Sequence, residues 1–399
     1  MNSSERCGRL EVFMVLKNTI QLTGGAAGSD SRRSRRRGVS LIEVLIVISI
    51  ILILLSILLV SLRGVQQASR RTQTLATMHA FLAACETFRL EQGFDPGLIP
   101  ESILANNNHQ ISHGVPGVAI SGTENALLHL MGGYVVRGTV SDVEWANMSF
   151  AGGWTQFDIL TPDGPPFSFK LNQSRIGEGP TINGKVFGCY FHPSPLEVQV
   201  LDHVGGLAQW PMDSELADSQ RLPDLVDGWG NPILYLRQAH VTGPLVGDAH
   251  VYNVIRPQFY VDTIWPYTLA PSQLWKDPCQ GGDGRGSILN GNHATGEGEP
   301  PWEVPKALAQ MLRSPVRGEV DPIDPSLPGV PLGSIMLISA GPDGIYFSAI
   351  DGPGSAKRPI GCAGCGGFQA FPYDEFLNDG LPVIRRFDDL RVWGGSPGQ

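Results

Sequence analysis

Residues 35–62 read RRRGVSLIEVLIVISIILILLSILLVSL, and the rest of the chain is interpreted from this stretch outward. From Val44 to Leu62 there are 19 residues without a charge, a proline or a glycine. Coiled as a helix, Val39–Leu62 would extend about 36 Å, enough to cross a hydrocarbon layer of about 30 Å. Arg32, Arg33, Arg35, Arg36 and Arg37 crowd its N-terminal end, while only Arg63, Arg70 and Arg71 follow the other end. This asymmetry places the arginine-rich end in the cytoplasm and the following residues outside it. A secretory signal peptide carries similar parts, but its apolar core is shorter, about 7–15 residues. Ser61-Leu62-Arg63-Gly64-Val65 also offers no A-x-A-like cleavage site. Glu43 is the one ionisable side chain between Val39 and Leu62, where a charge is costly and calls for a partner.

Arg37-Gly38-Val39-Ser40-Leu41-Ile42-Glu43, leading into an apolar run, resembles the cleavage and methylation motif of type IV prepilins and of the pseudopilins of type II secretion. The resemblance implies that a prepilin peptidase cuts between Gly38 and Val39 and methylates the new amine of Val39. It also implies that Glu43, the fifth residue of the mature chain, serves assembly. An ammonium at Val39 and the Glu43 carboxylate could neutralise each other within one chain or between packed helices. Val39 departs from the family's usual Phe. The leader, 1–38, is longer than usual, and a start at Met14 would leave the motif intact.

Residues 1–38 hold eight Lys/Arg and three Asp/Glu, whereas the whole chain carries a net charge of −9, so the part beyond the leader is acidic. No nucleic-acid partner is expected, because phosphate binding needs clustered cations and the dense cluster lies in the leader. With 49 glycines and 31 prolines, the head should be rich in loops and short strands.

Past the membrane, Val65, Ala68, Thr72, Leu75, Met78, Leu82, Cys85 and Phe88 recur at spacings of three and four, predicting an amphipathic extension of the first helix that Gly93 stops. A separate helix after a break at Gly64 is the alternative. A second helix is expected over Thr123–Leu130, with Thr123 as its N-cap and Gly132-Gly133 as its stop, and a third over Trp302–Arg313. Strands are expected at Lys185–Phe191, Ile233–Arg237, His250–Ile255 and Ser334–Ser339.

Two later stretches extend the resemblance. DGWGNPILYL, 227–236, resembles the Asp-x-Trp-Gly-x-Pro segment that enters a strand in major pseudopilins. ISAGPDGIYFSAIDGPG, 338–354, resembles their C-terminal loop. The order matches the family, while most of 94–226 and 238–332 has no counterpart. The implied fold is α+β and type IV pilin-like: a long N-terminal helix packed on a C-terminal antiparallel sheet, with large loop-rich insertions. Its parts are a cleaved leader (1–38), a transmembrane helix (39–62), an amphipathic extension of that helix (63–93) and an extracytoplasmic head (94–399).

Asp343 and Asp351 could supply hard oxygen ligands to a structural calcium ion, which family members bind in this loop; two aspartates in ordinary turns are the alternative. Cys362 and Cys365 form a single C-x-x-C. Zinc would need four ligands, and no second pair accompanies them. A disulfide within this loop, or with Cys189 or Cys279, is the other reading. Signatures of catalysis are near misses. Gly394-Gly395-Ser396-Pro397-Gly398 has no following helix to make a nucleophile elbow, and GPTINGKV (179–186) puts Val186 where a P-loop needs Ser or Thr.

The sequence thus points to a structural subunit rather than an enzyme: a pseudopilin of a type II secretion system. Its partners would be the prepilin peptidase, other pseudopilins and copies of itself, the inner-membrane assembly platform and the membrane. A minor pilin of a type IV pilus, for adhesion or DNA uptake, is the alternative. A third reading is an extracytoplasmic binding domain on a borrowed prepilin anchor.

Overall fold

The long first helix, α1, spans Leu41–Gln92 and runs through Gly64 without a break. Its sequence explains the length, since no proline falls inside it and leucine, alanine, glutamine and arginine dominate its later turns. Gly93, at φ 82°, closes it by donating its N–H to the Arg89 carbonyl at 2.8 Å. A left-handed backbone there suits glycine because no Cβ opposes it.

The computed structural model describes residues 40–112, 117–195, 197–199, 222–247, 256–264, 308, 312, 329–346 and 390–395. The chain divides into two compact units, 1–60 and 61–399. In the first, α1 exposes a continuous apolar surface from Leu41 to Leu55. The expected span, 39–62, is described with its side chains only over 40–56. Among the described residues no helix is long and apolar enough to cross a membrane.

In the second unit the other helices are α2 (Glu101–Ser112), α3 (Gly122–Met131) and α4 (Asp142–Asn147). The strands are β1 (Tyr134–Val136), β2 (Trp154–Ile159), β3 (Phe167–Asn172), β4 (Thr181–Ile182), β5 (Lys185–Val186), β6 (Val198–Gln199), β7 (Asp224–Leu225), β8 (Ile233–Arg237), β9 (Val246–Gly247), β10 (Phe259–Tyr260), β11 (Ile335–Ser339) and β12 (Leu390–Gly394). Two three-stranded antiparallel sheets dominate, ordered β12-β11-β8 and β1-β3-β2, so the described chain mixes helix with antiparallel sheet in an α+β arrangement. Ile335 pairs with Arg237 on one side and Gly394 on the other, which sets the register of the first sheet.

Each sheet has its own apolar cluster. Met78, Phe81, Leu82, Cys85 and Phe88 of α1 pack with Ile233, Tyr235, Ile335, Leu337, Leu390 and Val392. The second cluster joins Ile99 and Leu104 to Phe157, Ile159, Phe169 and Leu171. Every residue of α3 is buried, and it feeds both: Ala126, Leu127, Leu130 and Met131 enter the first cluster, Leu128 the second.

The predicted apolar face of α1 is buried from Met78 to Phe88 but not before. Val65 is 66% exposed, and Ala68 and Thr72 are exposed too, because the sheet meets the helix only further along. The second helix starts one residue earlier than expected, and its cap is Ser121, not Thr123. Ser121 Oγ accepts from Glu124 N while the Glu124 carboxylate accepts from Ser121 N, a reciprocal capping box. Thr123 instead donates its hydroxyl to the Ile233 carbonyl at 2.5 Å, tying α3 to β8. The strand expected over Lys185–Phe191 pairs only at Lys185–Val186, returning through Asn183-Gly184, both at positive φ. Ile233–Arg237 forms as expected, and Ile335–Ser339 starts one residue late. The strand expected at His250–Ile255 lies outside the described residues. Of Trp302–Arg313 only Leu308 and Leu312 are described; both are helical and buried.

Candidate functional site

The N-terminal motif begins the described chain. Ser40 precedes the first turn of α1, and its Oγ accepts from Ile42 N at 3.3 Å. Glu43 folds back so that Oε2 accepts from Ser40 N at 2.9 Å. Ser40 and Glu43 therefore satisfy two of the N–H groups that every helix start leaves unpaired, and the carboxylate lies at the positive end of the helix dipole. Gly38 and Val39 lie outside the described residues.

The 227–236 stretch and the described part of the second, 338–346, meet in space. In the turn Asp227-Gly228-Trp229-Gly230-Asn231-Pro232, Asp227 Oδ1 accepts from Trp229 N at 2.8 Å and Asn231 N at 2.9 Å. Aspartate suits this position because its short carboxylate reaches its own backbone two and four residues on. Oδ2 accepts from the Ser339 hydroxyl at 2.7 Å and, more distantly, from Asn231 Nδ2 at 3.4 Å. Asn231 Nδ2 also donates to the Gly341 carbonyl at 3.2 Å, and the Tyr346 hydroxyl donates to the Pro232 carbonyl. Burial pushes the Asp227 carboxyl above its usual range, although Ser339, Asn231 and Trp229 pull it back by hydrogen-bonding the charged form.

Asp343 ends a short 3-10 turn, Gly341–Asp343, and its Oδ1 accepts from Ile345 N at 2.9 Å. Asp351, its expected partner, lies outside the described residues, as do Cys362, Cys365 and Cys279. Among the described residues no three His, Cys, Asp or Glu side chains gather as metal ligands. Cys189 is half-buried and its thiol donates to the Phe191 carbonyl at 3.0 Å.

Beside this junction, polar groups that the sequence did not single out hold the segment following α1. Arg237, at the end of β8, meets the Glu101 carboxylate at 2.9 Å and donates to the Asp95, Gly97 and Ile99 carbonyls. His129 Nδ1 accepts from Gly97 N at 3.1 Å, with the Phe88 ring 4.7 Å away. Burial, aided by the Arg237 charge, lowers the His129 pKa to about 4, so the ring is neutral. An Arg at the end of a strand and a His in an apolar helix carry no local signal of these partners.

Residues 33–59 match the family described as the prokaryotic N-terminal methylation motif. No curated protein and no solved structure matches the chain. The match covers this N-terminal stretch alone, and it supports a type IV prepilin-like N-terminus. A motif of this kind implies processing by a prepilin peptidase, a membrane-anchored N-terminus and assembly into pilus-like filaments.

Proposed function

We propose that the chain is a pseudopilin of a type II secretion system, whose polymerisation from the inner membrane helps drive protein export. The observation that carries this reading is the methylation motif at 33–59 followed in order by the 227–236 and 338–346 stretches, which meet through Asp227 and Ser339. On this reading residues 39–62 cross the membrane, the leader 1–38 stays cytoplasmic until it is removed, and 94–399 form an extracytoplasmic pilin-like head. The contact of α1 residues 78–88 with the antiparallel β12-β11-β8 sheet supports a pilin-like arrangement. Cleavage after Gly38 would place a new ammonium one residue before Ser40, close to the carboxylate of Glu43, which already takes the Ser40 N–H.

Mass spectrometry of the membrane-extracted protein tests the reading. It should find an N-terminus at Val39 carrying a methyl group, and an intact leader would overturn it. Asp343 and Asp351, together with backbone carbonyls of their loop, are proposed to hold a structural calcium ion. Calcium should then raise the melting temperature, since a ligand bound by the folded state adds stability. Unchanged melting on adding a chelator would remove the site.

A further inference from the structure

We propose that the 227–232 turn is a coupling element that makes the grip on α1 at Arg70 and Thr74 depend on the ordering of the 339–346 segment. These contacts lie within the second unit and hold whether or not the chain assembles into filaments.

At one end the turn holds the helix. Gly228 N donates to Thr74 Oγ1 at 2.8 Å, and the same hydroxyl donates to the Arg70 carbonyl at 2.9 Å, so the contact is relayed into the helix backbone. A Cβ on Gly228 would lie 2.7 Å from the Arg70 carbonyl oxygen. Backbone therefore touches backbone here, and a side chain at 228 would force the two apart. At the other end, Asp227 and Asn231 receive or give hydrogen bonds to Ser339 and Gly341, and Gly341 N donates in turn to Ser339 Oγ at 3.2 Å. Oδ1 of the same Asp227 fixes the turn from within.

One buried carboxylate thus serves both ends. If Ser339 and Gly341 move away, the buried Asp227 Oδ2 loses its best donor, and the turn that presents Gly228 to Thr74 loses its brace. A ligand that orders 341–346 would tighten the hold on α1 through this route. Thr77 provides an internal comparison: it donates to Glu197 Oε1 at 2.7 Å, and the Glu197 carbonyl accepts from Val226 N at 2.8 Å, so this anchor meets the chain just before the turn and bypasses the Asp227 carboxylate, Ser339 and Gly341.

Double-mutant cycles on the full chain in detergent, followed by urea unfolding, test the coupling. Thr74→Val with Ser339→Ala should depart from additivity by about tenfold in the unfolding constant, whereas Thr77→Val with Ser339→Ala should add to within about twofold. Thr74→Ser, which keeps the hydroxyl, should behave like wild type in the same cycle. Hydrogen exchange of the amides around Arg70 and Thr74 should quicken in Ser339→Ala. Additivity of the Thr74 pair, or equal departures for the Thr74 and Thr77 pairs, would overturn the proposal.

Discussion

The Ser339 hydroxyl donates to Asp227 Oδ2 at 2.7 Å across 112 residues of sequence. It joins the residue that ends β11 to the turn that enters β8, two strands already paired along Ile335–Ser339 and Ile233–Arg237. Asp227→Ala should strand the Trp229 and Asn231 amides as well as this hydroxyl, and cost roughly 3 kcal/mol of stability. Ser339→Ala removes one donor and should cost less, roughly 1–2 kcal/mol. Urea midpoints of the two variants measure this. Equal and negligible losses would show that the junction does not hold the sheet.

Two buried groups give the stability profile opposite slopes with pH. His129 binds its proton less readily when folded, at about pH 4 against 6.5, so stability should fall as pH drops from 6.5 towards 4, by about 3 kcal/mol in full. His129→Asn, which can offer an oxygen to Gly97 N, should flatten that fall. Glu124 is the reverse case. Burial and the neighbouring Asp224 charge raise its pKa well above 4.5, so its contribution is fully present below 4.5 and is lost as pH rises through the raised value. Glu124→Gln keeps the Ser121 N–H satisfied and should stabilise the protein at neutral pH but not below 4.5. Melting temperatures across pH 3–8 separate the two; a Glu124→Gln effect independent of pH would mean that the proton is not the cause.

Glu43 should govern assembly rather than folding. Replacing it with Ala removes the acceptor of Ser40 N and the proposed partner of a neighbouring Val39 ammonium. On the proposed reading leader removal precedes assembly, so Glu43→Ala should reach the membrane and be cut after Gly38, with its head folded. Intersubunit cross-linking should drop roughly tenfold or more, as an unmatched charge in a packed apolar bundle opposes each addition. Wild-type cross-linking and secretion in this variant would favour the borrowed-anchor account.

The N-terminal helix and β8 were readable because each depends on local pattern, apolar spacing in one and a β-branched, aromatic run after a turn in the other. Ser121 was readable too: it stands three residues before Glu124, the spacing of a capping box, whereas Thr123 has no such partner. What the pattern did not give was where α1 meets its sheet. Nothing about Val65 or Ala68 distinguishes them from Met78 until β8, β11 and β12 are in place. The α2 helix is not legible in the sequence for a related reason. Its ESILANNNHQIS sequence looks polar, yet Asn107 and Asn108 are buried because their amides meet the Val118, Ile120 and Asp262 carbonyls, contacts made by distant parts of the chain. At the junction, the sequence put Asp343 forward as the acid of interest, while the four donors converging on Asp227 are a property of the folded turn.

The burial of α3 on all sides has a practical consequence for dissecting the head. A helix whose neighbouring residues Leu127 and Leu128 belong to different apolar clusters has no outward face to spare, and neither cluster is complete without it. The two sheets are therefore not separable modules, and no construction that ends the chain near residue 130 would leave a self-sufficient half. Epitopes, reporters and cross-linking handles belong on the exposed rims, such as the Asn183-Gly184 turn, where an added group displaces only water.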